Sequence, residues 1–98
     1  MIKYSYDGEA QAAYILVVNN AVSDTVQIAS SVYLDVSADG RAVGIELLGL
    51  SVGSLPPRLG EESLDILQAR GVPPEVLEFL GRGTSGAQTA QSRPLVSA

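Results

Sequence analysis

The chain contains no cysteine, no histidine and no tryptophan. Without cysteine it has no disulfide framework and no thiolate nucleophile. Without imidazole as well, the common zinc sites and any Ser-His-Asp triad are closed to it. Charge is also sparse, at 17% of residues, and 11 acids against 6 bases leave a net charge of −5. A surface of that sign repels phosphate backbones, so no nucleic-acid partner is expected. Long apolar runs are missing. The longest, Ala12 to Val18, has seven residues, against the roughly 18 or more that a membrane-spanning helix needs. Met1-Ile2-Lys3-Tyr4 offers no basic segment leading into an apolar stretch, so no secretory signal is expected either. These exclusions point to a cytoplasmic protein without a membrane partner.

What the chain does have is 98 residues, 46% of them apolar, which suits one domain with its own core. Three zones differ in texture. Residues 1–55 are rich in Val, Ile, Leu and Tyr and carry a net −4. Residues 56–81 read as helical and carry −3, whereas 82–98 are Gly, Ser, Thr, Gln and Ala with a net +2. So few apolar groups in the last zone cannot offset the entropy of ordering it, and a flexible tail is expected there.

Five short runs in the first zone carry strand chemistry: Ile2–Tyr6, Ala12–Val18, Thr25–Ala29, Val32–Val36 and Ala42–Leu48. Nothing helix-length separates them, so hairpins and an antiparallel meander are expected. Asp39-Gly40 is a hairpin signal. A two-residue loop there sets Val36 against Val43, Leu34 against Ile45 and Val32 against Leu47, and so gathers the apolar residues on one face. A four-residue loop, Ser37 to Gly40, shifts the pairs by two and keeps the same faces. A three-residue loop would set Asp35 against Val43 and mix them, so an even loop is expected. By the same logic Val17 is expected opposite Val26, and Ile15 opposite Ile28. The second run is apolar on both faces, Tyr14, Leu16 and Val18 alternating with Ala13, Ile15 and Val17, and such a strand needs covering twice.

The second zone supplies a cover. Glu61, Glu62 and Asp65 suit the start of a helix. Leu64 and Leu67, with Ile66 beside them, make its stripe, and Gly71 sits where a helix of this length ends. Pro73-Pro74 opens a second helix, with Val76, Leu77 and Leu80 inward and Gly81 as its stop. The expected fold class is α+β: a five-stranded antiparallel meander sheet followed by a C-terminal two-helix hairpin. The domain spans 1–81, sheet to 55 and hairpin from 56, with a flexible tail over 82–98.

Two sequence blocks carry a family resemblance. One is Tyr6-Asp7-Gly8-Glu9-Ala10-Gln11-Ala12-Ala13-Tyr14-Ile15. The other runs from Asp35 through Asp39-Gly40 to Gly44-Ile45-Glu46-Leu47-Leu48. In order and spacing they resemble the bacterial domain of unknown function 2283, over roughly residues 2–50. Gln11 stands where that pattern often has aspartate, Leu16 where it has a basic or polar residue, and Ser37 where it has a further acid. The resemblance implies a compact α+β or mostly β domain with no assigned activity. Some relatives look like partners of small toxin-like proteins, which implies an antitoxin-like alternative in which an acidic surface or the tail blocks a basic toxin.

Among the polar residues, Asp35 and Glu46 share a face beside Tyr33. Paired carboxylates can divide acid and base roles or ligate a hard cation, so a ligand- or metal-dependent enzyme is an alternative reading. With no nucleophile or oxyanion donor nearby, a solvated hairpin face is expected instead. No catalytic residue, metal site or cofactor is assigned. Asp7 and Gly8 read as a turn with Asp7 as its cap. Asp39, Gly40 and Gly71 likewise read as turn and helix-end positions. Gly81-Arg82-Gly83 follows a helix rather than a strand and is no phosphate loop. Acids Glu75 and Glu78 argue against a DNA-reading helix over Leu67–Leu80. The apolar ribbon Tyr14, Leu16 and Val18 is the interaction candidate. It points to a homodimer and, beyond that, to a partner protein still to be identified. The expected function is a non-enzymatic protein–protein interaction module that self-associates.

Overall fold

The computed structural model describes residues 2–82. Five strands, β1 (Lys3–Asp7), β2 (Ala12–Leu16), β3 (Asp24–Ala29), β4 (Val32–Val36) and β5 (Ala42–Leu48), form one antiparallel sheet. Helices α1 (Glu61–Ala69) and α2 (Pro74–Phe79) follow, completing the expected α+β class. The segment 83–98, expected to be a tail, lies outside the described residues.

The order of the strands is not that of a meander. It is β1-β2-β5-β4-β3, so the pairings Val17–Val26 and Ile15–Ile28 do not form. Instead β2 pairs with β5, placing Ile15 opposite Ile45 and Tyr14 opposite Glu46. Burial explains the choice. β5 is seven residues long and buried along most of its length, and a meander would have left it at an edge. β3, with Asp24, Thr25 and Gln27 exposed, tolerates the edge better. Crossing from β2 to β3 spans three inter-strand steps of about 4.8 Å, well within the reach of residues 17–23 at roughly 3.3 Å each. The last four strands thereby form a Greek key.

The β4–β5 hairpin solves its register in an unexpected way. Leu34 faces Ile45 and Val32 faces Leu47 as expected, but Val36 faces Ala42 rather than Val43. The loop is the three-residue one. Ser37 N–H donates to the Arg41 carbonyl at 2.9 Å, Gly40 N–H donates to the Ser37 carbonyl at 2.9 Å, and Gly40 takes φ 82°. A bulge at Val43 absorbs the odd residue, returning Asp35 to Gly44 and keeping the faces unmixed. Loop parity alone could not reveal this, because a bulge restores the alternation that the loop breaks.

Both helices end in paired reverse bonds of the Schellman type. After α1, Gly71 N–H donates to the Gln68 carbonyl at 3.0 Å and Val72 N–H to that of Leu67 at 3.1 Å, with Gly71 at φ 99°. After α2, Gly81 and Arg82 donate to Glu78 and Leu77 at 3.2 and 2.9 Å. Leu64, Leu67, Val72, Val76, Leu77 and Leu80 pack onto Ala13, Ile15, Val32, Leu34, Val36, Ile45 and Leu47 as one core. Ile66 lies outside the stripe, 42% exposed. Asp65 sits one turn further along than the helix start expected for it, and there it meets Arg82 at 2.8 Å. Arg82, the first residue of the expected tail, also bonds Gln68 at 2.8 Å and Glu61 at 3.2 Å. The described end of the chain is thus tied back to α1. No helix of the described residues is long and apolar enough to cross a membrane.

Candidate functional site

The helices cover one face of the sheet, the face of Ala13 and Ile15. Alternation therefore places Tyr14 and Leu16 on the other, where neither helix reaches them. Register builds that open face in rows. Lys3, Leu16, Gly44, Asp35 and Thr25 lie abreast, and so do Ser5, Tyr14, Glu46, Tyr33 and Gln27. Val18 is not part of the ribbon. β2 stops at Leu16, and Val17 and Val18 both turn their N–H groups to the carbonyl of bulged Val43, at 2.8 and 3.2 Å. Val18 is left 44% exposed just past the strand.

A polar crosslink spans the middle of this face. The Tyr14 hydroxyl crosses the row and donates to Asp35 Oδ2 at 2.8 Å, while Thr25 Oγ1 donates to Asp35 Oδ1 at 2.7 Å. Three strands, β2, β4 and β3, are tied through one carboxylate over the top of β5. Gly44 makes this possible, since a Cβ there would lie 2.1 Å from the Tyr14 hydroxyl oxygen. Burial raises the Tyr14 phenol above its ordinary pKa, and the hydrogen bond to Asp35 and the negative charges of Asp35 and Glu46 raise it further. Tyr14 therefore stays a neutral donor. Glu46 and Tyr33 stand opposite each other on β5 and β4. Among the described residues no three His, Cys, Asp or Glu side chains gather as a metal-holding group.

At its β1 side the open face dips into a shallow concavity of about 440 Å³, mainly apolar, lined by Lys3, Tyr4, Ser5, Tyr14 and Leu16. Tyr4 closes it from the helix side, where its ring packs on Phe79 at a centroid distance of 5.0 Å. Burial, and after it the charge of Glu75, raises the Tyr4 phenol too. Sequence reasoning found Tyr14 and Leu16 but missed Lys3, Ser5 and Thr25. The β1–β2 and β3–β4 pairings that place them are those of a meander too, but their register needs the folded chain: nothing in the turns at Asp7-Gly8 or Ser30-Ser31 fixes which residues stand abreast.

The turn residues sit apart from this face. Asp7 Oδ1 accepts the N–H groups of Glu9 and Ala10 at 3.0 and 3.2 Å, closing the turn over Gly8. The Ser37 hydroxyl, and then the Arg41 N–H, hold the Asp39 carboxyl below the usual range. Gly71 packs on Arg41, and the Arg70 guanidinium donates to the Gly40 carbonyl at 3.1 Å, fastening the β4–β5 turn to the end of α1.

The two blocks that carry the family resemblance are brought together by the β2–β5 pairing, with Tyr14 from one reaching Asp35 and Gly44 from the other. A family profile described as "Protein of unknown function (DUF2283)" matches residues 3–51, which takes in all five strands and stops before α1. No curated protein and no solved structure matches the chain. With half of its length matched, and that half the complete sheet, the chain belongs to the DUF2283 family of proteins of unknown function.

Proposed function

We propose that this protein is a non-enzymatic, cytoplasmic protein–protein interaction module whose first partner is a second copy of itself, docking at the β1–β2 margin of the open sheet face. The observation that carries the reading is the half-exposed pair Tyr14 and Leu16, set in an apolar concavity on the side of the sheet that the helices leave uncovered. Burying such a surface gains about 25 cal/mol for each Å² removed from water. Two of the polar groups beside it are already paired, the Tyr14 hydroxyl with Asp35 and the Asp35 oxygens with Tyr14 and Thr25. Those two bonds support reading Asp35 as a structural crosslink rather than as an acid, base or cation ligand. Beyond that margin the rest of each open face, toward β4 and β3, is left for a further partner protein.

The test is size-exclusion chromatography with light scattering, on the full chain and on Leu16→Arg. The full chain should associate at micromolar concentration. The variant should associate far more weakly, with its far-UV circular dichroism unchanged, because Leu16 points away from the core. A strictly monomeric parent at high micromolar concentration sinks the reading.

A further inference from the structure

The two edges of the sheet are finished differently. Edge β3 carries a bulge between Gln27 and Ala29, and two of its carbonyls are taken by side chains. Gln27 Nε2 bonds the carbonyl of Ala29 at 3.3 Å, and Ser63 Oγ bonds that of Ile28 at 3.4 Å. These are the devices that stop an edge from pairing further. Edge β1 has neither a bulge nor a carbonyl capped by a side chain. It pairs with β2 in unbroken register over all five residues, and it offers a regular outer row of backbone donors and acceptors. An edge left in that state is a template for another strand.

The sequence of β1, Lys-Tyr-Ser-Tyr-Asp, reads as its own complement. Laid antiparallel against a second copy and centred on Ser5, it sets Lys3 opposite Asp7, Tyr4 opposite Tyr6, and Ser5 opposite Ser5. Lys3, Ser5 and Asp7 fall on the open face, and the tyrosines fall on the helix face, where both already border the core. Asp7 Oδ1 is used by its turn, which leaves Oδ2 to accept from lysine. Lys3 makes no ion pair among the described residues. Parallel or shifted pairings would lose the charge match, so the complementarity selects one register.

We infer that two copies of this chain join edge to edge through β1, antiparallel about a two-fold axis at Ser5, so that two five-stranded sheets become one continuous sheet. The inference rests on the self-associating reading above and gives it a geometry. The two-fold axis runs through the sheet, so both open faces end on the same side, and the two concavities flank the seam.

The full chain, with no cysteine of its own, allows a direct test by single cysteines and charge variants. Ser5→Cys should form a disulfide-linked dimer under mild oxidation, and Gln27→Cys on the opposite edge should not. By sedimentation equilibrium, Lys3→Glu should weaken the dimer about tenfold, since it replaces two attractive cross-strand pairs by two repulsive ones. Asp7→Asn retains an Oδ1 for the turn, so it should weaken the parent dimer yet strengthen the Lys3→Glu dimer. That reversal of sign has no source in the turn itself. If Asp7→Asn fails to rescue Lys3→Glu, or if Ser5→Cys crosslinks no faster than Gln27→Cys, the edge geometry is overturned. A dimer indifferent to these changes but lost on Leu16→Arg overturns the edge while leaving self-association standing. A monomeric parent overturns both.

Discussion

Replacing Gly44 by alanine isolates the crosslink on the open face. Gly44 is not among the glycines held at positive φ, so its backbone accepts alanine without strain, and only space is at issue. The new methyl would lie 2.1 Å from the Tyr14 hydroxyl oxygen and 2.3 and 2.6 Å from two of its ring carbons. Tyr14 must therefore swing away and release Asp35. A hydrogen bond to a charged group contributes about 1.5–3 kcal/mol, and the lower end applies at a half-exposed site where water replaces the phenol. Against this, relieving a glycine in a strand interior returns roughly 0.5–1 kcal/mol. The net expectation is a loss of about 1 kcal/mol, or some 4–8 °C in melting temperature for a domain of this size. Without the ring, the sign should invert. In a Tyr14→Ala background, Gly44→Ala should stabilise by about 0.5 kcal/mol, a coupling near 1.5 kcal/mol between the two positions. Urea unfolding followed by circular dichroism measures all four proteins. Equal effects of Gly44→Ala in both backgrounds would refute the reasoning, as would a gain in stability in the parent.

Alkaline pH probes the same phenol. The folded state holds the Tyr14 proton more tightly than the unfolded chain, so this contribution is complete below about pH 10 and is lost as pH climbs from there toward the folded value. Stability should therefore decline above that point, and Tyr14→Phe should make the decline shallower, with Tyr4 retaining a share of it. Urea midpoints across the range give the slope, phenolate absorbance near 295 nm follows the titration, and an unchanged slope in the variant contradicts the assignment. At the other end of the sheet, Gly71→Ala should cost more than about 1 kcal/mol in urea midpoint experiments. It forces alanine to φ 99° and brings its Cβ within 2.7 Å of the Arg41 guanidinium. A neutral result would mean that the α1 end does not hold the β4–β5 turn as described.

Much of this was legible in the order of residues. The strand runs, the helix stops at Gly71 and Gly81 and the apolar faces of β4 and β5 follow from local chemistry, because side-chain alternation and cap residues act within a few positions of themselves. What was illegible needed knowledge of neighbours. Val17 against Val26 is as good an apolar match as Ile15 against Ile45, because apolar pairing is permissive. Only the burial of most of β5 at the centre decides between them. The bulge at Val43 was hidden for a related reason, since a three-residue loop followed by one extra residue gives the same faces as an even loop without it.

The candidate surface divides in the same way. The sequence marked β2 as too apolar for one exposed side, and the lack of cysteine and histidine closed thiolate and imidazole chemistry before any fold was known. Which side stays open was decided by the helices, which settle on Ala13 and Ile15 and leave Tyr14 and Leu16 outside. The partnership of Tyr14 with Asp35 was likewise decided by tertiary structure. It requires β5 to lie between β2 and β4 and to place a glycine where the two side chains cross. Sequence determines which faces are apolar because that is a local property of alternation. The face that is covered depends on distant segments competing for the same surface, and only the folded chain resolves that competition.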